Sequence, residues 1–175
     1  MSTLFHRPRL AGMSPRFHPQ LLEFLQHGLS LYAGSTDARG GPQVARAFAV
    51  RPLPGPQLAL AVPAGPAAGL LAAVEATGQV ALVLCRPSTH VTFQVKGRDA
   101  RVEPLQWEDW PELGRNRQAF ATEIRPFGFD SDFNDAWFSV LGTGPETLRV
   151  VRFTPSGAWN QTPGPGAGAP MEWLA

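Results

Sequence analysis

A change of period at Leu29 restricts the fold more than any other feature of the chain. Before it, Phe17, Leu21, Leu22, Phe24 and Leu25 share one helical face. Ser14 reads as an N-cap, Pro15 as the first helical residue and Gly28 as a stop, which predicts a helix over 14–27. After it, the apolar period is two. Strands are predicted over 29–34, 43–50 and 57–62, joined by turn clusters at 37–41 (AspAlaArgGlyGly) and 52–56 (ProLeuProGlyPro). Three strands on such short turns form an antiparallel meander.

The rest of the chain extends this pattern. A short apolar helix is expected at about 67–76, ended by Gly78, then a strand at 80–84 and a long strand at 89–103 bent at Gly97. A polar helical stretch follows at 105–124, with Pro111 as a kink or an early boundary. Residues 126–135 read as a loop, 136–141 suit helix or strand equally, and 147–153 form the last expected strand. Residues 1–13 read as an N-terminal arm and 160–175 as a Gly/Pro-rich tail, within one domain spanning 1–175. An open sheet of this size would leave bare edges, and closing five or six strands into a small barrel removes most of them. The expected fold is mainly β, a barrel with peripheral helices.

Composition narrows the function classes. Charged residues are 17% of the chain and the net charge is +1, with no basic run, so nothing points to a nucleic-acid backbone as partner. The low charge also suits a surface partly covered by another subunit. Basic residues comprise 14 arginines and one lysine, Lys96, so an anion would be held mainly by arginine or backbone amides. Cys85 is the only cysteine, which rules out an intramolecular disulfide; at the end of an apolar run it reads as a buried, inert thiol. His6, His18, His27 and His90 have no metal-ligand spacing, and no metal site is expected. The N-terminus has no apolar leader and no run of 18 apolar residues occurs, so no membrane span and a cytoplasmic location are expected.

Three segments carry a resemblance to a known family. They are GlyProGlnValAlaArgAlaPhe at 41–48 behind the helix, strand and turn, the bend Lys96-Gly97-Arg98, and the tail GlnThrProGlyProGlyAlaGly at 161–168. In this order of elements, over roughly residues 14–168, the chain resembles the FMN-binding split-barrel proteins related to pyridoxamine 5′-phosphate oxidase. The tail is similar to that of an uncharacterised branch. The resemblance implies a six-stranded antiparallel split β-barrel and a homodimer, with FMN held in two clefts between subunits. Carried over, the cofactor-binding positions are Ala45, Arg46, Ala47 and Phe48, with Leu60 to Val62 opposite, and Ser88, Thr89 and His90. The family often places Arg or Lys at the start of the short helix to hold the phosphate. Here residues 64–69 contain none, which leaves the helix N-terminal amides, with Arg46, Arg51 or Arg86, to hold an anion.

The residues themselves leave alternatives. Arg46 is a clamp on an anionic ligand or an outward-facing arginine on a half-solvated strand. Ser88, Thr89 and His90 bond a phosphate or ring edge, or they are turn chemistry after Pro87. Trp107 and Trp110 read as packing or dimer-surface residues. The functional expectation is a flavin-dependent oxidoreductase of unknown substrate. Its rivals are a split-barrel dimer holding haem, with His90 as an axial ligand, and a cofactor-free dimer.

Overall fold

The computed structural model describes residues 17–141 and 145–173. Its ten strands are β1 (Ser30–Thr36), β2 (Pro42–Ala47), β3 (Ala49–Pro52), β4 (Leu58–Pro63), β5 (Val80–Cys85), β6 (Thr92–Gly97), β7 (Arg101–Pro104), β8 (Leu148–Phe153), β9 (Pro155–Asn160) and β10 (Pro170–Met171). Four helices accompany them: α1 (Pro19–Phe24), α2 (Ala68–Thr77), α3 (Trp110–Ile124) and α4 (Ser131–Phe138). The strands form a six-stranded sheet, ordered β10-β9-β6-β5-β1-β2, and a four-stranded sheet, ordered β3-β4-β8-β7. All pairings are antiparallel. The chain therefore deals its strands to the two sheets alternately, two at a time. The mainly β fold with peripheral helices is as expected, and the larger sheet has six strands.

Two predicted strands are each divided between the sheets. The strand read over 43–50 leaves the large sheet at Ala47 and enters the small one at Ala49; at the crossing, the Phe48 amide donates to Ala61 O at 2.9 Å. The strand read over 89–103 breaks after Gly97, where the register with β9 shifts. A Cβ at Gly97 would lie 2.5 Å from the Phe153 ring and 3.0 Å from Thr154 O, so only glycine lets the strands approach this closely.

Two cores result. Leu31, Ala33, Leu60, Val62, Leu82, Leu84, Val95 and Phe153 fill the barrel, together with Leu70 and Val74 of α2. Ala49, Ala59, Ala61 and Val150 face the other way and are covered by Leu113, Phe120 and Phe138 of α3 and α4. Strand β4 is buried along its whole length because its two faces serve different cores. A strand buried on both faces reads as a continuous apolar run, as LeuAlaLeuAlaVal does here.

Other expectations need correcting. The first helix is shorter, Pro19–Phe24, with His18 as cap; Ser14, Pro15 and the 1–13 arm lie outside the described residues. Pro111 is the early boundary, because α3 begins at Trp110 and the chain before it forms a single tight turn at Trp107–Asp109. The expected 126–135 loop contains the start of α4, capped by the Asp130 carboxylate on the Phe133 amide at 3.0 Å, and this settles 136–138 as helix. Phe153 does not end the last strand-forming region. Strands β9 and β10 follow, and the tail folds back between them, with the Asn160 amide donating to Ala169 O at 2.8 Å.

Candidate functional site

Pairing parity decides which predicted site residues face outward. On β2, Ala45 and Ala47 are buried in the barrel core, so their side chains leave no space on the outer face. Val62 is buried in the same core, and Phe48 belongs to the second core beneath α3. Expected ligand contacts from these four residues are thus limited to their backbones. The outward residues are Val44, 69% exposed, and Arg46, which pairs across β1 with Tyr32, 43% exposed. Cys85 also alternates outward and is half-buried, not enclosed as expected.

Arg46 sits in an aromatic cage. Its guanidinium lies 3.9 Å from the Trp137 ring centroid and between 5.3 and 5.5 Å from those of Phe120, Tyr32 and Phe48. Cation–π attraction of this kind is worth about 0.5–2 kcal/mol per ring, more as water is excluded. Its Nη1 donates to the Tyr32 hydroxyl at 3.2 Å. Its Nε is buried, and among the described residues it has no hydrogen-bond acceptor and no carboxylate pairs with the guanidinium. Burial lowers the pKa of Arg46, with Tyr32 acting in the opposite direction. The group remains a cation, since an arginine pKa starts far above neutrality.

Residues 88–90 do not open a strand. They form the tip of the β5–β6 hairpin, closed by the Arg86 amide on Val91 O at 2.9 Å and the His90 amide on Arg86 O at 2.9 Å. His90 has φ +58°, a left-handed turn conformation, and is exposed. Thr89 Oγ1 accepts from the Val91 amide at 3.3 Å. The turn explanation therefore accounts for this run. Ser88 is already engaged: its hydroxyl donates to the buried carboxylate of Glu123 on α3, which also accepts from Arg86 Nε at 2.9 Å. Burial alone would raise the Glu123 pKa, but the bonds from Ser88 and Arg86 outweigh it and hold the group below the ordinary carboxylate value.

The expected phosphate cradle is also largely occupied. In the 64–69 segment, the amides of Ala64, Ala67 and Ala68 donate to Thr147 O, Pro63 O and Gly65 O. Arg51 is committed to Asp109 at 2.6 Å and Arg86 to Glu123. Helix α3 organises this whole end of the sheet. Asn116, buried, accepts from the Leu29 amide at 3.2 Å and donates to Phe48 O at 2.7 Å. Gly28 lies directly under the α3 backbone. One helix thus supplies Phe120 to Arg46 and Glu123 to the hairpin tip, bringing the Arg46 and 86–88 regions beneath it. Sequence reading missed Tyr32, Phe120, Trp137 and Glu123. Only Tyr32 had a signal, its parity with Arg46 across a short turn.

This geometry defines a split barrel that carries a caged arginine on the outer face of its larger sheet. A HupZ structure from Group A Streptococcus is similar over 87% of this chain and 98% of its own, with 12% identity and a TM-score of 0.54. A pyridoxamine 5′-phosphate oxidase-like protein of Lactobacillus delbrueckii matches over 86% and 97%, with 17% identity and a TM-score of 0.47. The haem storage protein HutZ of Vibrio cholerae matches over 83% and 94%, with 17% identity and a TM-score of 0.48. Of these three only the first exceeds 0.5, and at its identity it bears on the fold alone. No protein-family model matches the sequence, and no curated protein matches it significantly. The fold is a mainly β split barrel, and it is shared with the HupZ structure. No helix among the described residues is long and apolar enough to cross a membrane.

Proposed function

We propose that this chain is a flavin-binding split-barrel protein of the oxidoreductase type, with FMN as its cofactor, held around Arg46 at a homodimer face. The observation that carries the reading is the state of Arg46. It is a caged cation whose buried Nε has no acceptor and which has no carboxylate partner among the described residues. A buried unpaired donor costs about 1–3 kcal/mol, which an acceptor on a ligand would remove. The Tyr32 hydroxyl fixes the direction of the guanidinium, and the aromatic cage excludes water around it. A bound flavin would supply the hydride or electron transfer, so the chain need contribute only binding, orientation and exclusion of water. Exposed Val44 and Tyr32 beside the cage suit a wall completed by a second copy.

The test is an absorption spectrum of the purified protein followed by FMN titration of wild type and Arg46→Ala. Flavin bands, or saturable FMN binding, are expected. Arg46→Ala should bind FMN about tenfold to a hundredfold more weakly, the loss of one charge-assisted contact. A Soret band with no flavin affinity would replace FMN by haem, and wild type that binds neither would end the cofactor reading. Equal affinity in both proteins would remove Arg46 from the site.

A further inference from the structure

The inner face of the large sheet carries a pocket that the Arg46 face does not share. On β6, Gln94 pairs with Val83 and Trp159 and points outward, so its neighbours Phe93 and Val95 point inward. Val95 lies there beside its partners Leu82 and Ala158, all three buried in the barrel core. Helix α1 packs Leu21 and Phe24 into the same core, with the Phe24 and Phe93 rings 4.6 Å apart at 55°. Between helix, sheet and returning tail is a pocket of about 120 Å³. The sheet lines it with Phe93, Val95 and Ala158, α1 with Phe24, and the tail with Met171 and Trp173.

Size, walls and rim together set the class of ligand. An apolar cavity of about 150 Å³ holds one benzene ring, so a pocket of this volume takes a single ring and nothing larger. Three aromatic side chains and the polarisable sulfur of Met171 favour a flat, aromatic guest over a saturated one. The rest of the lining is polar: Gln20 and Glu172 are exposed, and His18 is half-buried. The His18 Nδ1 accepts from the Gln20 amide at 3.3 Å, which leaves Nε2 to carry the ring proton as a donor. An apolar pocket with one polar edge orients a ring that bears one polar substituent. We propose that this pocket binds a monocyclic phenol, its ring among Phe93, Met171 and Trp173 and its hydroxyl toward His18. The site uses no residue of the Arg46 cage and lies across the sheet from it, so it is independent of the flavin reading.

The experiment titrates phenol, and separately cyclohexanol, into the full chain and follows the methyl signals of Leu21, Val95 and Met171 by NMR. Phenol should shift them saturably with a Kd of about 1 mM or lower, and cyclohexanol should bind about tenfold more weakly or worse. Ala158→Leu adds an isopropyl group on the pocket side of β9 and should weaken phenol about tenfold or more, with the fold retained by circular dichroism. If that variant does not fold, Met171→Phe, at the half-buried end of β10, fills the same space and carries the same expectation. Wild type with no saturable shift would overturn the site, as would a folded, filled variant that binds phenol undiminished. Equal affinity for cyclohexanol would overturn the assignment to a phenol. None of these readouts involves a flavin, so this proposal and the flavin reading stand or fall separately.

Discussion

Arg46 illustrates how far single residues could be read. A lone arginine among small apolar residues was conspicuous in the sequence, and its outward direction follows from strand parity. The cage was not legible, because Phe120 and Trp137 come from helices more than 70 positions away. The alanines at 45 and 47 misled for a related reason: smallness beside an arginine suits a ligand floor and a tight barrel interior equally. Gly28 gives the sharpest prediction at this scale. A Cβ there would lie 2.2 Å from the Ala119 backbone, which cannot move aside like a side-chain tip. Gly28→Ala should therefore cost about 1–3 kcal/mol in urea unfolding, since it forces α3 outward. Glu123 gives a prediction in pH. Its folded pKa lies below its unfolded value near 4.5, so its contribution is complete above that value and is lost as the pH falls through the folded pKa. Glu123→Gln should be less stable than wild type at neutral pH, and the gap should narrow on acidification below about 4.5. A constant gap across pH would show that the carboxylate's charge contributes nothing.

Among the elements, those marked by turn residues were readable and those marked only by tertiary pairing were not. Strands β1, β4, β5 and β8 sit close to their predicted ranges because Gly and Pro punctuate them. The passage from β2 to β3 has no punctuation: ValAlaArgAlaPheAlaVal is equally apolar on both sides of the crossing, and the partners of Phe48 decide where it turns. Strand β9 was missed because Pro155 and Gly157 weaken its local signal, while β6 supplies its pairing. The tail is the element whose removal is most informative. The Gln161 amide donates to Thr92 O at 2.7 Å, Thr162 Oγ1 accepts from the Thr92 amide at 3.0 Å, and the His18 amide donates to Trp173 O at 2.9 Å. Phe17 and Trp173 add a ring contact at 5.8 Å. Deleting residues 160–175 should lower the melting temperature by roughly 5–10 °C, taking about 2–3 kcal/mol of lost contacts at 2–4 °C each. An unchanged melting temperature would mean that these contacts do not stabilise the fold.

At the scale of the molecule, the proposed dimer would use the exposed outer face of the large sheet. Val44 and Tyr32 are the most exposed large apolar groups on its strands, and a chain with 17% charged residues has little to repel a second copy. A stable dimer is expected in light scattering at micromolar concentration, with an obligate interface of about 2,000 Å² or more; a monomer would overturn this. The alternating assignment of strands has a further consequence during synthesis. Strand β7 pairs with β8 alone, and β9 pairs with β6 and β10, so neither sheet is whole until its last strand leaves the ribosome. A nascent chain halted at residue 140 would carry an unpaired β7, an open edge on β4 where β8 belongs, and another on β6. Such edges template pairing between neighbouring chains. Both sheets are therefore completed only by the segment 148–171, which covers the open edges of β4 and β6.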